Sequence, residues 1–170
     1  MIPARCGKIM AVDLGLKTGM ALFAEDGRLC WARSHNFGTV TRLKKGVSTL
    51  LGQVPGLDLL VLEGGGRLAS VWEKEARRRG IGVVLVSADV WRRRFFHPGQ
   101  RRGKARAKLS AVEAALGIMR RSGVSPALRP RHDAAEAIMA GLWALVELGR
   151  IETGPLPGRS GGMKIGLTGC

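Results

Sequence analysis

KIMAVDLGLKTGMALFA, residues 8–24, decides the architecture. Lys8 to Leu14 is an apolar run interrupted by one acid, Asp13, and closed by Gly15, which predicts a buried strand ending in a turn. Gly19 to Ala24 predicts a second strand and Arg28 to Arg33 a third, with Asp26-Gly27 between them as a hairpin signal. Further along, Val40, Leu43, Val47, Leu50 and Leu51 stand at helical spacing behind Thr39, a residue suited to an N-cap. Leu57 to Leu62 predicts a fourth strand with Glu63 at its C-terminal end, Leu68 to Arg79 a helix, and Ile81 to Val86 a fifth strand. Ala88 to Phe96, Ala105 to Met119 and His132 to Leu148 read as helices, separated by polar breaks at 97–104 and 122–131. Three meandering strands followed by alternating helices and strands make an α/β pattern with a mixed sheet.

Composition narrows the function. The chain has 170 residues, 45% of them hydrophobic, enough for one domain with a sizeable core. Lysine and arginine number 28 against 13 acids, a formal charge of +15, which favours a polyanionic partner, most simply nucleic acid. No apolar run reaches the roughly 18–20 residues that span a bilayer. The first residues, Met1 to Cys6, carry no apolar leader stretch, and Cys6, Cys30 and Cys170 are too scattered for a disulfide framework or a zinc site. A cytoplasmic protein with reduced thiols is the expectation. Residues 1–150 are expected to form the domain, and the Gly- and Pro-rich stretch 151–170 a mobile extension.

With so few acids, their placement is informative. Asp13 lies within an apolar strand, where an unpaired carboxylate is costly. Glu63 ends a second apolar strand before Gly64-Gly65-Gly66, a run that permits close approach of backbone or ligand. Asp133 and Glu136 are three apart on one helix and can face the same point. That helix is apolar on most sides, so its acids need counter-charges or metal ions. Carboxylates are the hard oxygen ligands that magnesium and manganese prefer. Taken singly, each acid also fits a cap, a salt bridge or a dipole partner.

From Val90 through Val112 there is no acid. Arg92, Arg93, Arg94, Arg101, Arg102, Lys104, Arg106 and Lys108 stand in this block, which reads as a track for a phosphate backbone. Arg120, Arg121, Arg129 and Arg131 add charge near the late acidic pair. Lys17, just after the Asp13 turn, reads equally as a phosphate contact or an exposed turn residue. Arg77, Arg78 and Arg79 end a helix and read first as dipole partners.

Three segments together, MAVDLGLKTGMALF at 10–23, LLVLEGGG at 59–66 and RHDAAEAIMAGLWAL at 131–145, resemble the RuvC-like Holliday-junction resolvases of the ribonuclease H-like superfamily. VSADVWRRRFF (86–96) and KARAKLSAVEAAL (104–116) resemble that family's middle section, so the likeness spans residues 7–148 or so. The resemblance implies a ribonuclease H-like fold, with a five-stranded mixed sheet whose first three strands are antiparallel. It implies catalytic, metal-binding carboxylates at Asp13, Glu63, Asp133 and Glu136, and two Mg2+ or Mn2+ ions per site. Asp13 would bridge the ions, with Glu63 on one and the Asp133–Glu136 pair on the other. The implied activity is paired hydrolysis of phosphodiesters in a four-way DNA junction, leaving 5′-phosphates, by a homodimer formed through the segment matching Leu68 to Arg79. His132 would touch the scissile phosphate or serve structurally. Some bacterial relatives carry a stacking aromatic just after the second acid. Gly64 to Gly66 stand there in this chain, so the wedge is either absent or replaced by Trp72, Phe95 or Phe96, residues that also suit a core. A YqgF-like nuclease acting on RNA shares the strand-end acid, and a non-catalytic nucleic-acid-binding protein on the same fold is a further alternative.

Overall fold

Strand parity determines what each side of the sheet buries. The structure, a computed structural model, describes residues 7–125 and 130–153 and a short strand at 165–167. Its strands are β1 (Lys8–Asp13), β2 (Lys17–Phe23), β3 (Leu29–Asn36), β4 (Leu57–Glu63) and β5 (Gly82–Val86). They form one sheet in the order β3-β2-β1-β4-β5. The pairs β1–β2 and β2–β3 are antiparallel; β1–β4 and β4–β5 are parallel. This is the five-stranded mixed sheet expected from the run of signals at 8–86.

Helices α1 (Val40–Gly52) and α2 (Gly66–Arg78) cover one face. The other face carries α3 (Ala88–Phe95), α4 (Lys104–Arg121) and α5 (His132–Glu147). Because successive side chains alternate, Met10 and Val12 of β1 join Leu60 and Leu62 of β4 under α1 and α2. Ile9 and Ala11 join Leu59 and Val61 under the later helices. Both strands are buried on both faces, which is why they read as continuous apolar runs rather than alternating ones.

Local signals account for the ends of these elements. Thr39 caps α1 by accepting a hydrogen bond from the Arg42 amide at 3.2 Å. The turn between β2 and β3 uses Gly27 at φ +82° and the Asp26 carboxylate, which accepts from the Arg28 amide at 3.0 Å. At the end of α2, Arg78 and Arg79 close on Glu75 at 2.6 and 2.7 Å. On α2, Trp72 and Ala76 are wholly buried against the sheet, while Leu68 and Val71 are half-buried.

Two departures concern the ends of elements. The break at 97–104 contains a 3-10 turn, Pro98–Arg101, held by reciprocal hydrogen bonds between His97 and Gln100. Ile151 is buried in the α5-side core and opens β6 (Ile151–Thr153), which pairs antiparallel with β7 (Ile165–Leu167). The stretch expected as an extension thus contains a strand pair that its Gly/Pro-rich composition concealed. The rest of that stretch, 154–164 and 168–170, lies, like Cys6 and Arg129, outside the described residues. Among the described residues no helix is long and apolar enough to cross a membrane.

Candidate active site

One transverse row across the sheet builds the site. Ser34 pairs with Gly19, Gly19 with Asp13, Asp13 with Glu63, and Glu63 with Val86. Asp13 and Glu63 continue the parity of Ala11 and Val61, so both carboxylates project from the C-terminal ends of β1 and β4 toward α3, α4 and α5. Helix α5 begins over this row. Gly19 permits that contact: a Cβ there would lie 2.0 Å from the Asp133 carbonyl oxygen.

Asp13, Glu63 and Glu136 each offer a carboxylate oxygen within 4.8 Å of the others. Asp133 is also buried, but it is engaged differently. Its Oδ1 accepts from the Ser34 hydroxyl and, at 2.9 Å, from the Ala134 amide. The structure thus gathers three of the four predicted carboxylates into one cluster, with Glu136 on the side of Asp13 and Glu63. The fourth sits beside them on β3's hydroxyl.

Helix α3 contributes two groups to the cluster. Trp91, wholly buried, donates its Nε1–H to Glu63 Oε2 at 2.8 Å. Arg92 donates from Nη2 to Glu136 Oε1, and its guanidinium lies 5.0 Å from the Trp91 ring centroid. Trp91 was not anticipated; VSADVW carries no signal that distinguishes a polar-handled core tryptophan from an ordinary one. Arg92 was read as part of an exposed phosphate track. It is instead half-buried and paired with a site carboxylate, because the phase of α3 turns positions 91 and 92 inward. Arg93 and Arg94 are exposed on the same helix.

The remaining basic residues behave as a surface. Arg102, Lys104, Arg106 and Lys108 are exposed and Arg101 partly so. Lys108 is close enough to act electrostatically on Asp13. Lys17 is exposed at the start of β2, one pleat beyond Gly19, whereas Thr18 is buried and donates to the Gly15 carbonyl at 2.6 Å. His132 is exposed at the first position of α5. Trp72, Phe95 and Phe96 are all buried in the two cores, so none of them is placed to stack on a ligand.

The cluster is electrostatically incomplete without further cations. Burial, followed by repulsion from Glu63, Glu136 and Asp133, pushes the Asp13 carboxyl up to about 8, against a smaller downward pull from Lys108. Burial likewise raises Glu63 to about 7, with the Trp91 hydrogen bond and Arg92 opposing it and Glu136 adding to it. Asp13 and Glu63, held above their ordinary range by burial, suit divalent cations, which favour oxygen ligands and supply the missing charge.

A pH dependence follows. Both groups bind protons more tightly in the folded chain, so their stabilising contribution is complete near pH 4 and is lost as pH rises through about 7 and 8. Thermal melts in EDTA are expected to fall by about 10 °C between pH 5 and 8.5, and millimolar Mg2+ to recover most of that loss at the alkaline end. A metal-free melting temperature that rises steadily across this window contradicts the assigned electrostatics.

No family model and no curated protein sequence matches the chain. Among solved structures, the chain is similar to T. thermophilus RuvC in complex with a Holliday junction substrate. The TM-score is 0.57 at 16% sequence identity, over 83% of this chain and 96% of the other. At that identity the likeness concerns the fold, and the chain has the ribonuclease H-like α/β fold, with its buried acids at the end of the sheet from which a divalent metal can be held.

Proposed function

We propose that the protein is a structure-selective endodeoxyribonuclease that resolves four-way DNA junctions by paired, metal-dependent phosphodiester hydrolysis, leaving 5′-phosphate ends. The observation that carries this reading is the Asp13–Glu63–Glu136 cluster at the end of β1 and β4, flanked by an exposed basic segment. When bound, divalent cations at such a cluster supply Lewis-acid charge to a phosphoryl oxygen and a water acidic enough to attack near neutral pH. Asp13, Glu63 and Glu136 would hold two Mg2+ or Mn2+ ions, with Asp133, anchored through its Oδ1, as the fourth carboxylate. Trp91 fixes the orientation of Glu63, and Ser34 with the Ala134 amide fixes that of Asp133. Lys17, Arg93, Arg94, Arg101, Arg102, Lys104, Arg106 and Lys108 would hold the phosphate backbone, and His132, exposed at the start of α5, would approach the scissile phosphate. A four-way junction has two-fold symmetry, so paired cuts call for two copies of this chain about a two-fold axis.

The test uses end-labelled four-way junction, linear duplex and single-stranded RNA, each with and without Mg2+. Symmetric, metal-dependent nicking of the junction alone is the expected result. Cleavage of RNA instead reassigns the protein to an RNA-acting relative, and junction binding without cutting in Mg2+ or Mn2+ leaves only a binding protein. The basic segment has its own signature. Neutralising Arg101, Arg102 and Lys104 together is expected to reduce the slope of log K against log salt by about 2–3, because each lost phosphate contact removes roughly 0.9. An unchanged slope removes this segment from the interface.

A further inference from the structure

The sequence places Arg92 in an arginine run that reads as a phosphate track, yet the fold turns it inward onto the acid cluster. Its guanidinium makes an ion pair with Glu136, a residue whose other carboxylate neighbours are Asp13 and Glu63. The pairing is incomplete. Arginine carries five N–H donors in a rigid fork, but the contact to Glu136 uses Nη2, and the buried Nε finds no acceptor among the described residues. The same guanidinium already lies over the Trp91 ring, 5.0 Å from its centroid, a contact that does not depend on Glu136. Its neighbour Trp91 holds Glu63, so the dipeptide Trp91-Arg92 engages two of the three clustered carboxylates.

We propose that Arg92 is a displaceable internal counter-ion: it neutralises Glu136 while the site lacks metal and yields that carboxylate when a divalent cation binds, thereby setting the metal affinity. This rests on the metal-centre reading above and deepens it. Two effects act in one direction. The incoming cation must break the Arg92–Glu136 pair, and it must approach a nearby positive charge. Arg92 is thus a positioning residue. It keeps a crowded acidic site folded when empty and makes metal binding weaker than the carboxylates alone would allow.

The experiment titrates Mn2+ into the nucleic-acid-free protein by calorimetry, for wild type, Arg92→Gln and Arg92→Lys, with thermal melts of each in EDTA and in saturating Mn2+. Arg92→Gln is expected to bind Mn2+ about tenfold more tightly, since it removes both the competing pair and the nearby charge. Its metal-free melting temperature is expected to fall by about 10 °C, because Glu136 loses its partner, and saturating Mn2+ to restore more than half of that fall. Arg92→Lys keeps a cation but not the planar head that stacks on Trp91, and its affinity is expected to fall between the two. It carries the test if Arg92→Gln does not fold. A wild type that binds Mn2+ while both variants bind it equally or more weakly overturns this inference and leaves the metal centre standing. Absence of Mn2+ binding in all three proteins overturns the metal centre and this inference with it.

Discussion

Asp13→Asn is expected to leave a protein that binds four-way DNA as tightly as wild type or more tightly, and cuts it at least about 10³-fold more slowly, since the charge stabilisation at stake is several kcal/mol. Asp13 is the central member of the carboxylate cluster: it pairs in register with Glu63 and faces Glu136 from α5. An amide there keeps the shape of the side chain but replaces one acceptor oxygen with an N–H donor and removes the charge on which cation binding depends. Stability should move the opposite way from most buried substitutions. The Asp13 carboxyl is raised to about 8 by burial and by three neighbouring acids. The metal-free variant is therefore expected to melt about 5 °C above wild type at pH 8, and to lose most of the Mg2+-induced rise. Thermal melts with and without Mg2+, beside a junction-nicking time course, check both halves. A variant that nicks at the wild-type rate removes Asp13 from the chemistry.

Gly19→Ala is expected to destabilise the protein by about 3 kcal/mol, lowering its melting temperature by roughly 6–12 °C, and to reduce nicking by at least about 10²-fold. The added Cβ would lie 2.0 Å from the Asp133 carbonyl oxygen, 2.1 Å from its carbon and 2.7 Å from the Ala134 nitrogen. All three are backbone atoms, so no rotamer change relieves the overlap; α5 must lift from β2. Lifting it carries Asp133 away from Ser34 and Glu136 away from Asp13 and Glu63. Gly99→Ala is the control: a Cβ at that position meets nothing within 4 Å, and it is expected to melt and cleave as wild type. Wild-type melting and nicking in Gly19→Ala would mean that α5 does not rest on β2 as described.

What the sequence conveyed and what it hid divide along a physical line. The apolar runs at 8–14 and 57–62 are continuous because β1 and β4 are covered on both faces, and that same burial made Asp13 and Glu63 conspicuous. Asp133 and Glu136 are both buried on α5, but their spacing did not bring both to one point: Glu136 joins Asp13 and Glu63 while Asp133 meets Ser34. Contacts across the sheet were not legible. Ser34 reaches Asp133 over 99 positions of chain, and nothing in LCWARSHN distinguishes that serine. The phase of α3 depends on how it crosses the sheet, so the inward turn of Trp91 and Arg92 could not be read from a run of three arginines. Composition likewise masked the strand pair formed by Ile151–Thr153 and Ile165–Leu167, which lies within a Gly/Pro-rich stretch.

The central claim is that the cluster at the ends of β1 and β4 holds divalent metal. Anomalous diffraction from crystals soaked in Mn2+, collected on wild type and on Asp13→Asn, tests it most directly. The expected result is anomalous density in contact with the carboxylates of Asp13, Glu63 and Glu136 in wild type, with Arg92 withdrawn from Glu136 and the density lost in Asp13→Asn. Well-ordered wild-type crystals that bind Mn2+ only elsewhere on the surface, with the Arg92–Glu136 pair intact, would contradict it.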